Sequence, residues 1–200
     1  MVTKVKDVDP RVKRTRQLLQ QAFIELLQEK SFQAITVQDI TERATVNRAT
    51  FYAHYADKYA LLDGYIREHF HQVVSSKLPT SSPLSVNSLR MLILAVFDYL
   101  AQVHGHECKP TDRQFDPLFE MTVQQELYEL LLSWLKQTPS PGARRVPVET
   151  TAMVMSWAIF GAGVQWSRRA RTPSLEEMAS HVLTVITGGL TRAMQVPLPE

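Results

Sequence analysis

Apolar positions recur at three- and four-residue intervals along most of this chain, and no segment shows the period-two alternation of a half-buried strand. Leu18, Leu19, Ala22, Phe23, Leu26 and Leu27 form one such stripe and predict a first helix ending near Lys30. A second helix is expected after Thr36, whose hydroxyl can cap free amides together with Asp39 three residues on; Ile40 and Ala44 continue its buried side. Asn47 offers another N-cap, with room for only a tight turn after Ala44. Asp57 offers a third, opening a helix through Leu61, Leu62, Tyr65, Ile66 and Phe70. Longer helices follow at roughly 86–103, 116–137, 148–170 and 174–194, separated by Pro-bearing loops. The expected fold class is all-α. The Ser- and Pro-rich stretch 75–85 cannot hold a regular element and is the best connection between a small N-terminal region and a larger helical one.

Two helices joined by a tight turn make the helix-turn-helix unit, in which the second helix enters a major groove while the first packs across it. Val37, Ile40, Ala44, Val46, Phe51 and Tyr55 supply the apolar groups that would hold the pair at a fixed angle. That leaves Asn47, Arg48, Ala49, Thr50, Tyr52, Ala53 and His54 as candidates to face DNA. Arg48 can fork onto guanine or a phosphate, Ala49 and Ala53 permit close approach to thymine methyls, and Tyr52, His54, Thr36 and Lys58 can bond phosphate oxygens. Helix amides beginning near Asn47 and Asp57 add positive dipole ends.

Composition adjusts this picture only a little. At 200 residues and 44% hydrophobic, the chain can bury a substantial core. Lys and Arg number 22 against 20 Asp and Glu, so a nucleic-acid partner must be attracted by local clustering rather than by the whole-protein field. One cysteine, Cys108, excludes an internal disulfide framework and suits the cytoplasm. The charged start lacks the apolar core of a signal peptide, and the longest nearly apolar run, 152–164, is too short to span a bilayer. No membrane partner is expected.

The segment "TRQLLQQAFIELLQEKSFQAITVQDITERATVNRATFYAHYADKYALLDGYI" resembles the N-terminal DNA-binding domain of the TetR family of bacterial transcriptional regulators. It joins the first helix, the Thr-started second helix, the "NRATFYAHY" recognition segment and "DKYALL" in the family's order. The resemblance implies a three-helix helix-turn-helix domain over residues 1–70 and a helical effector-binding and dimerisation domain over 71–200. It further implies a homodimer that binds double-stranded operator DNA, most often as a ligand-responsive repressor, with Thr36, Arg48, Ala49, Thr50, Tyr52, His54 and Lys58 at positions that commonly face DNA. One departure stands out: many members have Gly in the turn where this chain has Thr45, and a β-branched residue is costly if that position needs positive φ.

In the larger region, "SWAIFGAGVQW" sets Ala158, Gly161, Ala162 and Gln165 on one surface where another helix can approach closely, and Val182, Val185, Ile186 and Gly189 lie along an apolar face of the last helix. Together they are the expected dimer interface, a four-helix contact, with core packing as the competing use. Met91, Phe97, Phe119, Trp134, Met153 and Trp157 are candidates to line a pocket for a small-molecule effector, although ordinary core packing is the stronger explanation for most of them. "VHGHEC" places His104, His106, Glu107 and Cys108 close together, but the spacing is no strong zinc signature, and no cofactor or metal is assigned. Two other functions remain open: a helical interaction protein with a degenerate DNA-binding domain, and an enzyme. Residues 1–60 hold ten Lys and Arg against seven Asp and Glu, a surplus small enough to keep the first alive. The absence of a phosphate loop, an H-E-x-x-H helix or a nucleophile elbow weakens the second.

Overall fold

The computed structural model describes residues 9–78, 84–105, 116–138, 145–169 and 172–194. Among them are eight α-helices and one short 3₁₀ turn: α1 Pro10–Glu29, the turn Phe32–Ala34, α2 Val37–Ala44, α3 Arg48–Tyr52, α4 Lys58–Lys77, α5 Val86–Gly105, α6 Asp116–Gln137, α7 Val148–Arg168 and α8 Leu175–Met194. The chain divides into two compact units, residues 1–65 and 66–200.

In the first unit, Asp9 accepts from the Arg11 amide at 2.9 Å and Pro10 occupies the first turn of α1, where its missing N–H costs nothing. Leu19, Ala22, Phe23 and Leu26 are the buried stripe of α1; Leu18 is exposed and Leu27 half-buried, so the stripe is narrower than the sequence periodicity suggests. They pack with Phe32, Ile35, Ile40, Ala44, Phe51, Leu61 and Leu62 in one small core. Thr41 is buried too, its hydroxyl donating to the Gln38 carbonyl at 3.0 Å.

Both halves of the capping box on α2 form. The Thr36 hydroxyl accepts from the Asp39 amide at 3.1 Å, and the Thr36 amide donates to Asp39 Oδ2 at 2.7 Å. Lys30 Nζ lies 2.8 Å from the same carboxylate oxygen. Its hydrogen bond, followed by those from the Thr36 amide and hydroxyl, lowers the Asp39 pKa from 3.8 to about 2. A depressed carboxyl pKa contributes stability that is present above about 3.8 and lost as pH falls through about 2. Acid titration of the unfolding midpoint should therefore include a modest decline in this window for the wild-type chain, the pair being solvent-screened. In Asp39→Asn the decline should be shallower, from a lower starting point at neutral pH. Parallel curves would show that the box contributes no pH dependence.

At the other end of α2, Thr45 adopts φ 56° and ψ 42°, the left-handed conformation, with its amide bonded to the Glu42 carbonyl at 3.2 Å and the Val46 amide to the Thr41 carbonyl at 3.0 Å. The departure from glycine is thus a β-branched residue in a region that costs L-residues roughly 1–2 kcal/mol. Thr45→Gly should stabilise the protein by about 0.5–1 kcal/mol after the extra chain entropy of glycine is subtracted. A thermal melt that stays level or falls would mean that the side chain, exposed as it is, offsets the strain.

The second unit is a bundle in which α5 packs on α7 and α8, and α7 on α6 and α8. Among the described residues one helix is long and apolar enough to cross a membrane by length and composition, α5, with mean hydropathy 1.3 over Val86–His104. Its apolar side chains have another use. Leu89, Leu92, Ile93, Val96, Phe97 and Leu100 are fully buried in the bundle, while Arg90 and Asp98 form ion pairs with Glu176 and Lys77. This is the pattern of a core helix. Gly163 lets α7 come close to α5, because a Cβ there would lie 2.8 Å from Leu100 Cδ1 and 3.0 Å from Phe97 Cδ1. Trp166 stacks on Phe97 at 5.7 Å between ring centres and donates its indole N–H to the Pro173 carbonyl at 2.8 Å. Glu126, buried on α6, holds Arg67 and His71 of α4, the latter at 2.6 Å.

Candidate nucleic-acid interface

A helix of five residues cannot be stable alone, so α3 depends on its attachments. At its start the Asn47 carboxamide oxygen accepts from the Thr50 amide at 2.7 Å and the Thr50 hydroxyl at 2.9 Å. Beneath it Phe51 is completely buried, with the Tyr52 ring edge-on to it at 5.5 Å and the Tyr55 ring at 6.0 Å. Gln20 of α1 donates to the Tyr55 hydroxyl at 3.5 Å. The helix is thus held from one side and capped by its own Asn.

The opposite side is exposed. Asn47, Arg48, Ala49, Tyr52 and Ala53 are exposed, Tyr52 to 51%, while Thr50 is half-buried. Arg48 forms no side-chain hydrogen bond or ion pair with the described residues, whereas the nearby Arg43 is tied to Glu29 at 2.8 Å and Glu25 at 3.4 Å, clamping α2 to α1. The helix ends at Tyr52, so Ala53 and His54 stand in the turn that follows rather than on a helical rod; the His54 amide donates to the Phe51 carbonyl at 2.9 Å. Thr36 is exposed but its hydroxyl already serves the capping box.

Residues 19–65 match the family model described as bacterial regulatory proteins, tetR family. The first unit is thus a TetR-type unit. An uncharacterized HTH-type transcriptional regulator of Bacillus subtilis (strain 168), YxbF, is 43% identical over 81 residues, which is 40% of this chain but 21% of that protein; the chain thus matches about a fifth of the relative's length. A TetR transcriptional regulator from Streptococcus agalactiae 2603V shares the fold across both units, with a TM-score of 0.57 at 22% identity, over 89% of this chain and 96% of that one. FadR from Bacillus subtilis, solved in complex with stearoyl-CoA, aligns at 17% identity with a TM-score of 0.51, over 86% of this chain and 98% of that one. At these identities the two structures establish the fold alone.

Within the TetR-type unit, Lys58 differs from expectation. Its ammonium, assigned by the sequence pattern to a phosphate, donates to the carbonyls of Phe32 at 2.9 Å, Gln33 at 3.2 Å and Ile35 at 2.8 Å. It also sits 4.5 Å over the Phe32 ring. Burial lowers its pKa, opposed by the charge of Asp39. The signal that could have revealed this is positional: Asp57 caps α4 through the Ala60 amide at 2.8 Å, which leaves Lys58 at the first helical position, where a cation opposes the helix dipole and needs anionic company from elsewhere.

The six effector-pocket candidates in the second unit do not converge. Phe97 and Phe119 are core side chains on α5 and α6, Trp134 is buried near the end of α6, and Met91 is half-buried on α5. Met153 and Trp157 are exposed on α7 and line a shallow groove with Gln124, Gln125 and Tyr128. The face expected for dimerisation is largely open. Ala158, Gln165, Val185 and Gly189 are exposed, Gly161 and Ala162 half-buried, whereas Val182 and Ile186 turn into the bundle. An apolar groove of about 290 Å³ runs between α7 and α8, bordered by Val154, Ala158, Val185, Ile186 and Gly189. His104 pairs with the Ser167 hydroxyl at 2.7 Å; His106, Glu107 and Cys108 lie outside the described residues, and among the described ones no cluster of three metal-ligating side chains occurs.

Proposed function

We propose that this chain is a sequence-specific DNA-binding transcriptional regulator, acting in the cytoplasm as a homodimer and most simply as a ligand-responsive repressor. The observation that carries the reading is the outward face of α3: Arg48, Ala49 and Tyr52 are exposed on a helix anchored from below by Phe51, inside a TetR-type unit. Arg48 supplies base or phosphate contact, Ala49 and Ala53 permit close approach, and Asn47, Thr50, Tyr52, His54 and Thr36 supply polar contacts to the backbone. The exposed Arg11, Lys13, Arg14 and Arg16 of α1 add sequence-independent attraction. The family model describes regulatory proteins rather than enzymes.

Residues 1–70 act as the DNA-binding domain and 71–200 as the dimerisation and effector domain. The exposed α7–α8 face supports pairing with a second copy, which would set two recognition helices one DNA turn or a multiple of it apart. A small-molecule effector would shift the populations of two arrangements of the second domain, with α4, which runs from one unit into the other, as the connection. The stearoyl-CoA complex of FadR makes long-chain acyl thioesters a first class to screen.

Selection of duplexes from a random-sequence pool by the purified chain tests this directly. The expected product is one enriched, two-fold symmetric sequence whose binding weakens steeply with salt as counterions are released. Recovery of no sequence above background would reject the assignment.

A further inference from the structure

We propose that Lys58 serves DNA binding as a positioning residue: its ammonium ties the first turn of α4 to the chain just before α2 and so fixes where the helix-turn-helix unit begins, instead of contacting a phosphate itself. The inference rests on the DNA-binding reading above and specifies how one of its residues acts. An ammonium has three protons, and here three carbonyl oxygens, those of Phe32, Gln33 and Ile35, lie within 2.8–3.2 Å of Nζ. These carbonyls belong to the short 3₁₀ turn and to the residue directly after it; the Phe32 carbonyl also closes the turn by accepting from the Ile35 amide at 3.0 Å, while no continuing helix supplies donors to those of Gln33 and Ile35. Ile35 immediately precedes Thr36, the N-cap of α2.

The side chains around this contact make it a rigid one. Phe32 and Ile35 are each 1% exposed, the Phe32 ring faces the ammonium, and Tyr59 meets the same ring edge-on at 5.0 Å. Moving Nζ outward to a phosphate would take the ammonium from the Gln33 and Ile35 carbonyls and leave the Phe32 carbonyl with only the Ile35 amide, at 3.0 Å. The carbonyl oxygens of the turn offer the ammonium partial negative charge, which offsets its unfavourable place at the start of α4. Removal of the ammonium should therefore loosen the Phe32–Thr36 segment, let the cap of α2 wander, and change the angle at which α3 is offered to DNA.

The test uses the full chain and the duplex that the wild type selects. Lys58→Met keeps the length of the side chain and removes the charge; Lys58→Arg keeps the charge with a different fork. Affinity is measured from 50 to 200 mM salt, and amide hydrogen exchange is followed without DNA. For Lys58→Met the expected results are about a tenfold or greater loss of affinity, an unchanged slope of log affinity against log salt, and faster exchange at the Asp39 and Ile40 amides. Lys58→Arg should recover part of the affinity and the protection together. A slope reduced by roughly 0.9 for each Lys58 present would identify a phosphate contact and overturn the proposal. Unchanged affinity of the folded Lys58→Met chain, with only a lower melting point, would overturn it as well, by reducing Lys58 to a stabilising residue. If the wild-type chain binds no duplex selectively, the DNA-binding reading fails and this proposal with it; a wild type that binds while the variants behave otherwise than stated rejects this proposal alone.

Discussion

Arg48→Ala is expected to abolish most of the discrimination between the selected duplex and unrelated DNA while leaving the fold untouched. A good bidentate contact from arginine to a guanine edge is worth about 1–3 kcal/mol of discrimination. A symmetric dimer makes it twice, so the loss should be about 2–6 kcal/mol, or at least roughly 30-fold in the affinity ratio. Stability should stay within about 0.5 kcal/mol of wild type, since Arg48 is exposed and forms no side-chain hydrogen bond or ion pair with the described residues. That pairing of results is the informative part. Phe51→Ala, one turn along the same short helix, should lose binding through a quite different route, because deleting a completely buried aromatic costs about 3–5 kcal/mol and releases α3 from the unit. Competition titrations and thermal melts on the two variants separate the roles. An Arg48→Ala chain that still prefers the selected sequence by the wild-type ratio would place base recognition on other residues of the unit.

Much of the first unit was legible because its signals are local. A capping box, an Asn at the next helix start and an Asp at the one after act within three or four residues of chain, and all three form. Thr45 stood out by comparison with the family pattern, as a β-branched residue where many members have Gly, and it does adopt the left-handed backbone. For Lys58 only its place at the start of α4 was a signal; its partners were not legible, because they stand 23 to 26 positions earlier and are main-chain carbonyls, which have no residue type to read. The end of α3 at Tyr52 was also missed, because nothing in "FYAHY" breaks a helix. In the second unit the helices follow from periodicity, but periodicity cannot tell an aromatic that fills the bundle from one that lines a cavity. Phe97 and Trp157 have similar sequence surroundings, yet one is fully buried and the other 57% exposed.

That exposure leads to the second large effect, on assembly. Val185 is 75% exposed on α8, across an apolar groove from Val154 and Ala158 of α7, with Trp157 and Met153 uncovered further along α7. In an isolated chain, Val185→Asp should cost almost nothing, because an exposed valine gains little from its neighbours and an exposed aspartate is well hydrated. Across a two-fold axis the same change enters twice, and each carboxylate would be taken out of water without a partner, at an effective cost of several kcal/mol per ion. A total of roughly 6 kcal/mol would raise the dimer dissociation constant about 10⁴-fold. Sedimentation velocity at micromolar concentration should then show monomer for Val185→Asp and dimer for wild type, with nearly equal melting behaviour of the monomer's helices. Binding to the symmetric duplex should collapse at the same time even though every residue of α3 is intact, because two tethered recognition helices gain an effective concentration that two free ones lack. A Val185→Asp chain that remains dimeric and binds normally would move the subunit contact off this face and leave the open α7–α8 groove to another occupant.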